Sequence, residues 1–100
     1  MLHTVNKSPL ANRTLEQCLA HVGAGGAVLL IEDGVYAATM GTAASARIAQ
    51  SLRTFPVYVL GPDLEARGFT GKDVVEGVAT VDYAGFVKLV TEHEAVQAWL

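Results

Sequence analysis

One hundred residues give room for one domain, spanning 1–100, with one hydrophobic core. Hydrophobic residues make up 51% and charged residues only 17%, against about 25% in ordinary soluble domains, so buried interfaces in an oligomer are expected. A net charge of −3 at this hydrophobicity excludes intrinsic disorder, seven scattered basic residues argue against direct nucleic-acid binding, and no apolar run is long enough for a membrane span.

The opening Met1-Leu2-His3-Thr4-Val5-Asn6-Lys7 shows no basic region leading into an apolar run, so no signal peptide is expected. Residues 2–6 predict a short strand instead, ended at Lys7-Ser8-Pro9, where proline blocks further ladder pairing. Thr14 with Gln17 three residues on is a capping-box pattern. Leu15, Cys18, Leu19 and Val22 follow at i, i+3, i+4 and i+7, which predicts a helix with one apolar stripe, stopped at Gly23. Cys18 is the single cysteine; no internal disulfide can form, which fits a reducing cytoplasm. Gly23-Ala24-Gly25-Gly26 follows a helix and precedes a strand, the reverse of a phosphate loop, and reads as a connector.

Residues 27–31 form an uninterrupted apolar run, the mark of a strand covered on both faces, and Asp33-Gly34 predicts a turn after it. A helix is expected over 43–53, with Ala44, Ile48 and Leu52 inward and Arg47, Gln50 and Arg53 outward. Residues 57–60 predict a third strand between Pro56 and Gly61-Pro62, and 63–67 a short helix capped by Asp63. A weaker strand over 78–81 leads to a helix capped by Asp82, with Phe86, Leu89, Val90 and His93 on one face, and 96–99 predicts a small edge strand. Helix-bearing crossovers between successive strands favour parallel pairing, so the fold class is α/β, a three-layer sandwich around a mostly parallel sheet of four to five strands.

In open parallel sheets, ligands meet the loops beyond the carboxyl ends of the strands. Those loops gather Lys7, Asp33, Asp63 and Asp82 on one edge, although capping and turn roles account for the three aspartates by ordinary local chemistry. His3, His21 and His93 lack paired ligand spacing and Cys18 with His21 is a lone helical pair, so no metal site is expected. Ser8, Ser45 and Ser51 lack a strand-turn-helix nucleophile elbow. Cys18 has two readings. On the apolar stripe it is a small hydrophobe; as a nucleophile it needs exposure or a cationic neighbour, for which Lys7, Arg13 and the start of the helix are candidates. Residues 34–46 carry no charge. Val35, Tyr36 and Met40 there predict a subunit contact, the other reading being a buried loop and helix start.

Five stretches in register carry a family resemblance: Leu2-His3-Thr4-Val5-Asn6-Lys7-Ser8-Pro9, Leu30-Ile31-Glu32-Asp33-Gly34-Val35-Tyr36-Ala37, Val59-Leu60-Gly61-Pro62-Asp63-Leu64 with Ala66-Arg67-Gly68, Val81-Asp82-Tyr83-Ala84-Gly85-Phe86-Val87, and Gln97-Ala98-Trp99. Together they resemble the TusB/DsrH family over essentially the whole chain. The resemblance implies a DsrE-like fold and a place in a cytoplasmic hetero-hexamer, with TusC/DsrF-like and TusD/DsrE-like chains as partner subunits. It implies relay of persulfide sulfur between upstream and downstream sulfur-carrier proteins, without cofactor, membrane or direct nucleic-acid contact and without independent catalytic activity. The pathway it implies is either 2-thiolation of the tRNA wobble uridine or sulfur oxidation. DsrH members carry a cysteine in the first helix, and Cys18 matches that position, which makes it the candidate persulfide carrier. A non-catalytic subunit of the same complex, and a stand-alone small-molecule-binding domain using the Lys7, Asp33, Asp63 and Asp82 edge, are the alternatives.

Overall fold

Parallel strands must be covered on both faces, and the arrangement of this chain follows from that requirement. A computed structural model describes residues 1–10 and 13–100. Strands β1 (Leu2–Val5), β2 (Ala27–Leu30), β3 (Val57–Leu60), β4 (Ala79–Val81) and β5 (Val96–Trp99) form one sheet in the order β4-β3-β2-β1-β5. Every pairing is parallel, with Leu2 opposite both Ala27 and Val96. Helices α1 (Thr14–His21), α2 (Ala43–Ser51), α3 (Gly61–Ala66) and α4 (Tyr83–Glu92) make the crossovers, with short 3₁₀ segments at Glu32–Ala38 and Gly71–Asp73.

Strand alternation divides the apolar residues between two layers. Val5, Val28, Leu30, Val57 and Val59 pack with Leu15, Cys18 and Leu19 of α1, Ile48 of α2, and Val35, Ala37 and Ala38 of the first 3₁₀ segment. On the opposite face Leu2, Ala27 and Leu29 meet Leu89, with Phe86, Tyr58, Ile31 and Val81 partly buried around them. The second layer is thin because α4 alone supplies its cover.

Local chemistry departs from expectation at three places. Thr14 and Gln17 do not make a capping box: Arg13 holds the N-cap position without a side-chain cap, and Thr14, in the first turn, is buried. Reciprocal boxes form instead at Thr42 with Ser45 and at Thr70 with Asp73. Asp63 does not cap α3, because that helix begins at Gly61, with Pro62 in the first turn, where a missing N–H costs nothing. Asp33-Gly34 is not a free turn but part of the 3₁₀ segment, entered through Glu32 at φ 50°.

That 3₁₀ segment seals the carboxyl end of β1. Ile31 N donates to Val5 O (3.0 Å), Gly34 N donates to Ile31 O (2.8 Å), and Gly34 lies so close that a Cβ there would overlap the Val5 carbonyl oxygen. Overpacking against backbone costs about 1–3 kcal/mol, and here the backbone itself must shift, so Gly34→Ala is expected to cost about 3 kcal/mol. Gly23, where an added Cβ meets nothing within 4 Å, is the control: Gly23→Ala leaves stability unchanged or slightly raised. Urea unfolding of the two variants checks the contrast, and equal midpoints would contradict the packing described.

Candidate functional site

The carboxyl ends of β2 and β3 bring together two of the four edge residues through a third side chain. Arg67, just after α3, donates from Nε to Asp33 Oδ1 (2.9 Å) and from Nη1 to Asp63 O (3.0 Å). Asp63 in turn accepts from Glu32 N on Oδ2 (2.7 Å). A charge-assisted bond thus holds the one non-glycine residue at positive φ among those described, tying the end of β2 to α3. Asp82 stands apart as the N-cap of α4, accepting from Gly85 N (2.8 Å). Lys7 is exposed and makes no ion pair among the described residues. The edge is therefore a brace and a cap, with both carboxylates of the brace already engaged, and beside the cap an open hollow of about 530 Å³ lies between Gly61, Pro62, Glu65, Thr80 and Asp82.

Cys18 lies fully inside the larger core at 0% exposure. Burial pushes its thiol up to about 12. The thiol therefore stays protonated at neutral pH. Neither cationic neighbour offsets this: Arg13 points outward, paired with Glu16 at 3.8 Å, and Lys7 lies on the surface. Proximity to the start of α1 does not outweigh desolvation.

The uncharged segment divides between core and surface. Val35, Ala37 and Ala38 are completely buried in the chain's own core, so Val35 is unavailable to a partner and its lack of charge reflects packing within the domain. Tyr36 is half-buried, set edge-on to Phe69 with ring centroids 5.8 Å apart. Met40 remains a large apolar residue at the surface, 57% exposed.

The longer exposed apolar stripe lies elsewhere, on α4. Tyr83 (61% exposed), Val87 (63%) and Val90 (37%) fall at i, i+4 and i+7, facing away from the sheet, while Phe86 and Leu89 pack against it. Val90, expected on the inward face, belongs to this outer stripe. The signal is present in the helix Tyr83-Ala84-Gly85-Phe86-Val87-Lys88-Leu89-Val90-Thr91-Glu92, which is apolar on two sides. A cleft of about 330 Å³ between α1 and α2 is lined by Arg13, Tyr36, Ala44 and Arg47 among others and contains none of the edge aspartates. Among the described residues no three His, Cys, Asp or Glu side chains cluster to hold a metal, and no helix is long and apolar enough to cross a membrane.

Residues 7–96 match the family described as DsrH like protein. A protein TusB of Pectobacterium parmentieri is 41% identical over 99 residues, covering 99% of this chain and all of the relative. A protein TusB of Escherichia coli O81 is 39% identical over 101 residues, again with 99% of this chain and all of the relative covered. Among solved structures, the ychN protein from E. coli superposes with TM-score 0.78 at 15% identity, covering 97% of each chain. The MTH1491 protein of Methanobacterium thermoautotrophicum gives 0.75 at 18% identity, covering 97% of this chain and 96% of its own. At such identities the structural likeness speaks for the fold alone, and the expected α/β architecture with a parallel sheet is the one observed.

The brace has an order of importance that can be measured. Removing Asp63 leaves the exposed Glu32 N–H to water in place of its charged acceptor, a loss of about 1–1.5 kcal/mol. Asp33 is largely exposed, so breaking its pair with Arg67 costs about 1 kcal/mol or less. Denaturant midpoints are expected to fall further for Asp63→Ala than for Asp33→Ala, and the reverse order would contradict the brace.

Proposed function

The chain belongs to the DsrH family, and from that premise we propose that it is a subunit of a cytoplasmic sulfur-relay complex serving 2-thiolation of the tRNA wobble uridine. In this reading it joins TusC-like and TusD-like chains and contributes interface, while a partner supplies the sulfur-carrying thiol. Relatives named TusB that match from end to end favour the tRNA branch over sulfur oxidation.

The state of Cys18 carries the choice between carrier and scaffold. Persulfide transfer is attack of a thiolate on the terminal sulfur of a donor persulfide, with the donor's thiolate leaving, so its rate follows thiolate fraction and access. Cys18 has neither, being fully buried with its pKa raised to about 12. A buried cysteine on the inner stripe of a helix serves as a small apolar side chain. The surface supports the other half of the reading. A helix apolar on its outer side and an exposed Met40 are side chains suited to the centre of a subunit contact. They also account for part of the charge deficit noted in the composition. The few basic residues fit a subunit that passes sulfur along between proteins and leaves the tRNA to a later component.

Mass spectrometry of the complex assembled with its two homologous partners, after incubation with a persulfide donor, tests this. The peptide containing Cys18 is expected to keep its mass while a partner peptide gains sulfur; stoichiometric sulfur on Cys18 would overturn the scaffold reading.

A further inference from the structure

β5 closes one edge of the sheet with little side-chain burial of its own. Val96, Gln97 and Ala98 are exposed, and only Trp99 packs against the larger core. The backbone ladder to β1 and this one indole therefore hold the C-terminal strand in place. Trp99 Nε1 donates to His3 Nδ1 at 3.0 Å, a bond between residues 96 positions apart. The indole also lies against His21 of α1, with ring centroids 5.5 Å apart, against 6.2 Å to His3. His21 is oriented by its own bond, Nδ1 donating to Gln17 O at 2.7 Å.

An indole N–H only donates, so His3 must present Nδ1 as a lone pair and carry its proton on Nε2. Protonation would put a second N–H against the first. His3 is buried, and its strand neighbours Val28 and Gln97 are uncharged. The charged and titratable groups acting on it are the N-terminal amine of Met1 and His21 of α1, which both oppose a further positive charge. Burial foremost, then these two groups, hold its pKa below the usual 6.5.

We propose that His3 and Trp99 form a proton-sensitive latch: protonating His3 removes the acceptor for the indole and releases β5 from the edge of the sheet while β1 to β4 stay folded. The direction follows from linkage. With the folded pKa below the unfolded one, the detached state binds more protons. Docking is therefore strongest at neutral pH and weakens as pH falls toward the lowered value, because release of β5 relieves the burial that is the largest cause of the lowering. Release makes β1 the sheet edge, with unpaired N–H and C=O groups, and removes the flank that Trp99 gives to α1. The latch rests on no part of the sulfur-relay reading.

Hydrogen–deuterium exchange of the full chain at about pH 7.5 and about pH 5, corrected for intrinsic exchange, tests the latch. Protection of the amides at 96–99 is expected to be lost at the lower pH, with those of β2 and β3 unchanged. His3→Gln, whose amide oxygen can still accept from Trp99, abolishes that loss, and His21→Gln preserves it. Trp99→Phe, which lacks the donor, gives low β5 protection at both pH values and serves if His3→Gln does not fold. The latch is overturned if β5 protection does not fall, or if β2 and β3 lose protection in step with it. It is overturned equally if the fall persists in His3→Gln or Trp99→Phe, or vanishes in His21→Gln.

Discussion

The need to cover both faces of an all-parallel sheet governs this chain, and one hundred residues meet it unevenly. On one face α1, α2 and the Glu32–Ala38 segment close over β1, β2 and β3 so completely that Val5, Val28, Leu30 and Cys18 are inaccessible to solvent. On the other, α4 covers Leu2, Ala27 and Leu29 alone, and its outer side carries Tyr83, Val87 and Val90 into solvent. The first face buries the single thiol, and the second leaves the outer side of α4 in solvent. A buried thiol and an uncovered apolar helix face are two consequences of the same packing constraint.

At β1 and β2 the carboxyl-end edge, where parallel sheets commonly bind ligands, is occupied by the protein's own connections. Glu32 adopts a positive φ to start the 3₁₀ segment that closes over the Val5 carbonyl, and Asp63 and Arg67 hold that entry in place. Asp33 and Asp63 thus join β2 to α3, while Asp82 caps α4 and Lys7 stays at the surface. This is consistent with a subunit whose work lies on its outer surfaces.

Much of the architecture was legible because it is written in short-range pattern. The apolar runs at β2 and β3, the stripe of Leu15, Cys18 and Leu19, and the Asp82 cap all stand where period and capping chemistry put them. What was not legible depended on competition or distance. Thr14 and Thr42 both offer a capping hydroxyl, and the surrounding fold decides that Thr42 makes the box. Missing charge marks a buried core and a subunit contact alike, so Val35 and Met40 look equivalent in sequence although one is enclosed and the other exposed. Arg67 reaches Asp33 across 34 positions, and no local pattern announces such a pair. On α4 the second stripe is hidden because Val90, at helical spacing, falls between the inward Phe86 and the outward Val87 and so reads as part of the inner face.

Placing Cys18 in the core makes the account depend on one side chain with a simple chemical role. Sulfur-transfer activity of the complex reconstituted with its partners, comparing wild type with Cys18→Ala, is the most direct measurement. Removing an essential nucleophile lowers turnover by orders of magnitude, whereas losing a buried thiol that only packs leaves it within about two-fold. The scaffold account predicts the second result, with the complex intact in both cases. A loss of about a hundred-fold or more in an intact complex would contradict it and make Cys18 a carrier.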